Sequence, residues 1–252
     1  MKLDEVKKLH QKKYRNQHQC YLVEGEHLVL ELDKAMSDNE LANAVTLYIT
    51  QDNQDFVKGL NSKFKTVVLN QKQMANISDT KTPQGIIAMV PMSSHVNVSQ
   101  KNTATTNSQP PKYIYLHEIQ DPGNLGTIIR TLAWFGNFTL LLSPNSVDPF
   151  NSKVVRASMG AIFHLPIELE VGLSSLLTRF NNYAYLDLAG DSITSPEFKA
   201  FDCYLFGNEA RGIPSSICSL DSTSAFTIEG SGKIDSLNLS SAVNICAFAI
   251  SS

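Results

Sequence analysis

The sequence is short of cysteine, of surplus positive charge and of long apolar runs, and each shortage closes off a class of function. Cysteine occurs only at Cys20, Cys203, Cys218 and Cys246. No CxxC pair is among them, which argues against a zinc site. Their irregular spacing among apolar neighbours points to buried free thiols in a reducing cytosol, so a cytoplasmic protein is expected. Lys and Arg number 21 against 24 Asp and Glu, a net charge of −3. That balance excludes indiscriminate polyanion binding, which relies on a summed positive field, but permits a local basic patch. No apolar run reaches the length of a membrane span, and the N-terminus is too polar for a signal peptide. The Gly-x-Gly-x-x-Gly fingerprint of a dinucleotide fold is missing as well. What is present is 252 residues, 42% of them hydrophobic, enough for one large domain or two small ones.

The local basic patch lies at the start of the chain. Lys2, Lys7, Lys8, Lys12, Lys13 and Arg15 face only Asp4 and Glu5, within a helical stretch from Lys2 to Arg15. By itself such a run is a solvated helix face; in a chain that handles RNA it is a set of phosphate contacts. Residues 93–112 are rich in Ser, Thr, Asn and Gln, lack aromatics and end in Pro-Pro-Lys, so they read as a polar linker. Residues 1–92 alternate helix and strand patterns and form a small α/β domain. The helix Glu24–Met36 and β-branched strands at Val45–Thr50, Thr66–Leu69 and Gly85–Val90 belong to it. From residue 113 to 252 the alternation is more regular. A strand at Tyr113–His117 leads to a helix at Gly123–Phe135, apolar at Leu125, Ile128, Ile129, Leu132 and Trp134. The last helix, Asn238–Ile250, is apolar around most of its circumference and should be buried. Such alternation implies a parallel sheet with helices on both faces, and ligands bind beyond the carboxyl ends of its strands.

Three polar motifs fall there. They are Asp121-Pro-Gly-Asn-Leu-Gly-Thr-Ile-Ile-Arg130, Phe206-Gly-Asn-Glu-Ala-Arg-Gly-Ile-Pro214 and Ser236-Leu-Asn-Leu-Ser-Ser-Ala242. Each joins permissive backbone to directed hydrogen-bonding side chains. In the first, Asp121 caps a helix on which Asn124 and Arg130 lie nearly two turns apart. Arg130 stands among apolar residues, where a phosphate or carboxylate partner matches its planar fork. In the second, Glu209 can accept from a substrate hydroxyl, pair with an arginine, or simply favour a helix dipole. In the third, Ser236 and Asn238 open an apolar helix, a position where both residues also serve as caps.

The order, spacing and placement of these motifs resemble the SpoU (TrmH-type) branch of the SPOUT RNA ribose 2′-O-methyltransferases over residues 113–252. The first domain resembles that family's substrate-binding domain in Lys13-Tyr14-Arg15, Val23-Glu24-Gly25 and Thr82-Pro83-Gln84-Gly85. The resemblance implies an α/β fold with a trefoil-knotted parallel sheet in the C-terminal domain, preceded by a small α/β RNA-binding domain. It further implies a homodimer that uses S-adenosylmethionine and no metal. Gly207, Ile228 and Leu237 match donor-binding positions. Arg130, Asn124, Glu209, Ser236 and Asn238 match catalytic or near-catalytic ones. Lys7, Lys8, Lys12, Lys13 and Arg15 become candidate RNA contacts, with ribosomal RNA favoured over tRNA. The alternatives are a non-catalytic RNA-binding or ribosome-assembly protein of the same fold, or a tRNA 2′-O-methyltransferase. Two departures stand out: Ile228-Glu229-Gly230 replaces the family's usual Ile-Pro-Met, and Leu239 its usual Val.

Overall fold

In the computed structural model of the protein, residues 1–36, 40–92, 110–234 and 236–252 are described. Most of the expected linker, 93–109, therefore lies outside the described residues. The described residues form two compact units. One holds the residues up to 92 together with Asp148–His164; the other holds the rest from 110 onward, Leu165–Ser252 included. The segment Asp148–His164 thus packs with the N-terminal unit although it follows the first motif in sequence. No helix among the described residues is long and apolar enough to cross a membrane.

The N-terminal unit begins with α1 (Leu3–Lys8) and α2 (Lys12–His18), then β1 (Cys20–Glu24), α3 (Glu26–Met36), β2 (Thr46–Ile49), α4 (Gln54–Lys58), β3 (Lys65–Val68), α5 (Gln71–Ile77) and β4 (Ile86–Pro91). Its four strands lie in the order β1-β4-β2-β3. Strand β4 runs antiparallel to both neighbours, while β2 and β3 are parallel. Val6, Leu9, Leu22, Tyr48, Leu69, Met74, Ile77 and Ile87 make a core that α1 and α5 share with the sheet. The single helix expected over Lys2–Arg15 is two helices, broken at Gln11, whose backbone is extended. The break has a physical cause. Arg15 folds back and donates from its guanidinium to the carbonyls of Leu9, at 2.9 Å, and His10, at 2.8 Å, groups that the end of α1 leaves without helical partners.

The C-terminal unit is a six-stranded sheet in the order β10-β8-β9-β5-β6-β7, every pairing parallel. In chain order it runs β5 (Lys112–Leu116), α6 (Pro122–Phe135), β6 (Phe138–Leu142), β7 (Ile167–Glu168), α7 (Leu173–Arg179), β8 (Tyr183–Ser192), β9 (Cys203–Phe206), α8 (Ser215–Cys218), β10 (Thr223–Thr227) and α9 (Leu239–Ser251). All five residues of β6 are buried, as a strand covered on both faces requires. Strand β8 is 10 residues long and irregular. It pairs with β10 up to Tyr185 opposite Ala225 and resumes at Asp191 opposite Phe226, so residues 186–190 form a bulge in the ladder.

Helix α6 buries Leu125, Gly126, Ile128, Ile129 and Leu132. Trp134, expected on the same face, is 85% exposed. Two residues beyond Leu132 it is rotated by about 200°, which carries it to the opposite side. Helix α9 packs against α6 and buries Ala242, Val243, Cys246 and Ala247, leaving Ile245 and Phe248 exposed. Within one chain, the last helix is therefore buried on one face only.

Candidate active site

Strands β5 and β9 are neighbours, and their carboxyl ends deliver the first and second motifs side by side. Asp121 caps α6 as its residue type predicts: its Oδ1 accepts from the Asn124 backbone N–H at 2.7 Å, with Pro122 in the first turn. Asn124 consequently emerges from the first turn of the helix. The second motif closes a tight turn in which Asn208 and Gly212 exchange backbone hydrogen bonds at 3.1 and 2.8 Å. Here the glycine at 207 is required. A Cβ there would fall 2.1 Å from the Gly212 carbonyl carbon and 2.3 Å from the Ile213 nitrogen. The Asn208 side chain braces the turn, accepting from the N–H groups of Ala210, at 3.0 Å, and Arg211, at 3.1 Å.

This turn aims Glu209 at the first motif. Its carboxylate accepts from the backbone N–H groups of Gln120 and Asp121, both at 3.3 Å, and from Asn124 Nδ2 at 3.5 Å. The third motif arrives from the far side of the sequence. Asn238 Oδ1 caps α9 by accepting from the Ser240 N–H at 2.9 Å, and its Nδ2 donates to Asn124 Oδ1 at 3.0 Å. One asparagine thus fills both roles its residue type offered, cap and site. Asn124 sits in the middle of a chain running Glu209, Asn124, Asn238, and both ends of its amide are fixed. The three bonds to Glu209 are long, and an ionised carboxylate has about four acceptor sites, so capacity remains for a further donor such as a substrate hydroxyl.

The remaining expected site residues fall as follows. Arg130 is exposed and makes no hydrogen bond or ion pair with another described residue. It does not join the Asn124 chain. Ser236 is exposed, and so is its neighbour Leu237, a residue 45% exposed. Gly207, Ile228 and Leu237 lie after β9, after β10 and before α9, and none makes a backbone hydrogen bond to another described residue. Unpaired backbone groups at strand ends suit the edge of an adenine base and an exposed apolar side chain suits its face, so the residue types at these three positions fit S-adenosylmethionine. Glu229 is exposed there.

In the N-terminal unit, Lys7, Lys8, Lys12 and Lys13 are exposed. Lys7 Nζ donates to Asn76 Oδ1 at 2.9 Å, and the ammonium groups of Lys8 and Lys13 lie 5.4 and 5.8 Å from the Tyr14 ring centre. Arg15 is a correction. It is 3% exposed, and its guanidinium donates from Nε at 2.9 Å and Nη2 at 2.5 Å to one oxygen of Asp148. With the Leu9 and His10 carbonyls also bound, its fork is turned inward and holds the unit together rather than facing a phosphate.

Sequence reasoning passed over Glu118 and Gln120. Gln120 offers its backbone N–H to Glu209 and its side chain to the carbonyls of Glu118, at 2.9 Å, and Asn145, at 2.8 Å. Nothing in the local pattern marks these residues; only the neighbouring strand ends give them partners.

Comparisons with known proteins bear on this site. The description "SpoU rRNA Methylase family" matches residues 111–248, and "MRM3-like substrate binding domain" matches residues 1–88. The chain is 28% identical over 259 residues to the 23S rRNA (guanosine(2553)-2'-O)-methyltransferase RlmP of Bacillus subtilis, covering 98% of this chain and 94% of that protein. It is 34% identical over 157 residues to the mitochondrial rRNA methyltransferase 3 of Xenopus laevis, covering 62% of this chain and 36% of that protein. Among solved structures, an AdoMet-bound rRNA methyltransferase from Sinorhizobium meliloti superposes with a TM-score of 0.76 at 26% identity, over 98% of this chain and 93% of that one. Three motifs that meet at the carboxyl ends of a parallel sheet, and a family match over residues 111–248, more than half of the chain, lead to one conclusion: the chain belongs to the SpoU rRNA Methylase family.

Proposed function

We propose that the chain transfers a methyl group from S-adenosylmethionine to a ribose 2′-hydroxyl of ribosomal RNA. The observation that carries this reading is the meeting of Asn124, Glu209 and Asn238, drawn from three separate motifs, at one end of the sheet. The names of the similar proteins support it, since they are rRNA methyltransferases and one of their structures binds AdoMet.

Gly207, Ile228 and Leu237 would hold the donor. Bound there, S-adenosylmethionine supplies a methyl group already activated by its sulfonium. The chain's own task is to orient the 2′-hydroxyl, a poor nucleophile, and to stabilise the charge it develops. The braced Asn124 presents a fixed amide for orientation. Glu209 accepts from the hydroxyl while its other lone pairs hold the loop of the first motif. Arg130 is always protonated and so is no general base; its exposed fork binds the target phosphate and stabilises the developing alkoxide. Ser236 supplies a further hydroxyl beside Asn238.

Two further parts complete the reading. The apolar surface left by Trp134, Ile245 and Phe248 is covered by a second copy of the chain, giving a homodimer. In the N-terminal unit, Lys7, Lys8, Lys12 and Lys13 contact RNA phosphates, which position the substrate without reading its bases.

The test is to incubate the purified chain with labelled S-adenosylmethionine and ribosomal RNA from cells lacking this gene, then to map 2′-O-methyl groups. One discrete modified nucleotide is the expected result. Donor binding without methyl incorporation into ribosomal RNA, or no donor binding in a calorimeter, refutes the reading.

A further inference from the structure

Beside the Asn124 chain stands an ion pair with no part in the chemistry above. Glu118 follows β5 and has a backbone φ of +50°, a left-handed conformation uncommon for a residue with a long side chain. Strained backbone of this kind persists only where surrounding contacts hold it. Those contacts are present. The Glu118 N–H donates to Ser143 Oγ at 2.7 Å, and its carbonyl accepts from Asn208 Nδ2 at 2.8 Å. Its carboxylate accepts from Arg211 Nη2 at 2.5 Å and from Asn145 Nδ2 at 3.5 Å. One residue therefore ties together the loops after β5, β6 and β9.

Arg211 is what this arrangement presents outward. Its side chain is 71% exposed, against 24% for Glu118. Its backbone is fixed by Asn208, and its guanidinium is anchored at one nitrogen only. A guanidinium carries five N–H donors in a planar fork, so the donors facing away from Glu118 stay available. Arg211 lies two residues after Glu209, on the same braced turn. A long cation on a flexible stem normally loses rotamer freedom on binding; here the carboxylate has already restricted it.

We propose that Arg211, held by Glu118, binds a backbone phosphate of the RNA next to the ribose presented to Asn124 and Glu209. The assignment rests on the RNA methyltransferase reading. Glu118 is a positioning residue in it, since it acts through Arg211 and the turn.

The experiment measures filter binding of an in vitro transcribed ribosomal RNA to the full chain between about 50 and 200 mM KCl, where phosphate contacts dominate the salt dependence. Donor affinity and thermal stability are read on the same proteins. Arg211→Ala should weaken RNA binding several-fold and reduce the slope of log affinity against log salt by about one. Its donor affinity should be unchanged. Arg211→Lys should recover the slope but not the full affinity, since charge returns without the fork. Glu118→Gln keeps a hydrogen bond to Arg211 and should keep the slope. An unchanged slope in Arg211→Ala overturns the assignment, as does an equal loss of stability in Arg211→Ala and Glu118→Gln with no loss of RNA binding. If Arg211→Ala shows the expected slope difference but the unaltered chain methylates no ribosomal RNA, the phosphate contact stands and the reading of function falls.

Discussion

Arg15 separates a structural reading of the N-terminal cations from a nucleic-acid one, and the structure sets the size of the difference. Arg15→Ala removes a guanidinium that is 3% exposed and satisfies the Asp148 carboxylate and the carbonyls of Leu9 and His10. The Asp148 side chain is itself only 8% exposed, so the substitution leaves an uncompensated buried charge. Removing one partner of such a pair costs about 3–5 kcal/mol, against a total stability of about 5–15 kcal/mol. For a chain of this size that lowers the melting temperature by roughly 6–20 °C. Thermal melts followed by circular dichroism measure it directly. Replacing Lys7, Lys8, Lys12 and Lys13 together by Gln should do the reverse. It should leave stability within about 1 kcal/mol, because exposed charges contribute little, while flattening the salt dependence of RNA binding. An Arg15→Ala protein of parental stability with a reduced salt slope would refute the reasoning, since Arg15 would then be spending its charge on RNA.

Three other outcomes follow from the geometry. Arg130→Ala should lower the methylation rate by about 10²–10³ while leaving donor affinity unchanged in calorimetry; Arg130→Lys should fail similarly, and near-normal turnover by it would count against a forked contact. Replacing Phe248 or Trp134 by Asp should shift the chain toward monomer in light scattering, and a parental variant that is monomeric and fully active would remove the homodimer. Burial alone would raise the pKa of Asp33, but hydrogen bonds from Asn61 and Ser62 outweigh it and hold the carboxyl below its ordinary value. With the folded pKa depressed, its stabilisation is complete above an unfolded value of about 3.9 and is lost as pH falls through the lower folded value. Asp33→Asn should therefore cost about 1.5–3 kcal/mol at pH 7 in urea melts and progressively less below about pH 4; a pH-independent difference would remove Asp33 from this account.

Much of the fold and part of the site were written locally. The run Phe138–Leu142, apolar but for Thr139, reads as a strand covered on both faces, and its residues are all buried. Asp121 and Asn238 are preferred cap residues and do cap their helices. Gly207 answers to a close backbone approach within its own turn. Each of these depends on period, residue type or near neighbours, which sequence records directly.

What only the tertiary structure decided are pairings across long stretches of chain. Asn238 reaches Asn124 over 114 positions, and Arg15 reaches Asp148 over 133. A run of basic residues looks alike whether its members face solvent or the interior, so nothing near Arg15 distinguishes it from Lys12 or Lys13. The acidic partner that turns it inward comes from a segment far along the sequence that packs with the N-terminal unit. Trp134 shows the converse: an apolar residue near a helical period, left in the open because the rotation from Leu132 takes it off the buried face. Local physics determined which elements form and which groups can bond; the topology of the sheet, which sets strand ends side by side, determined which of them meet.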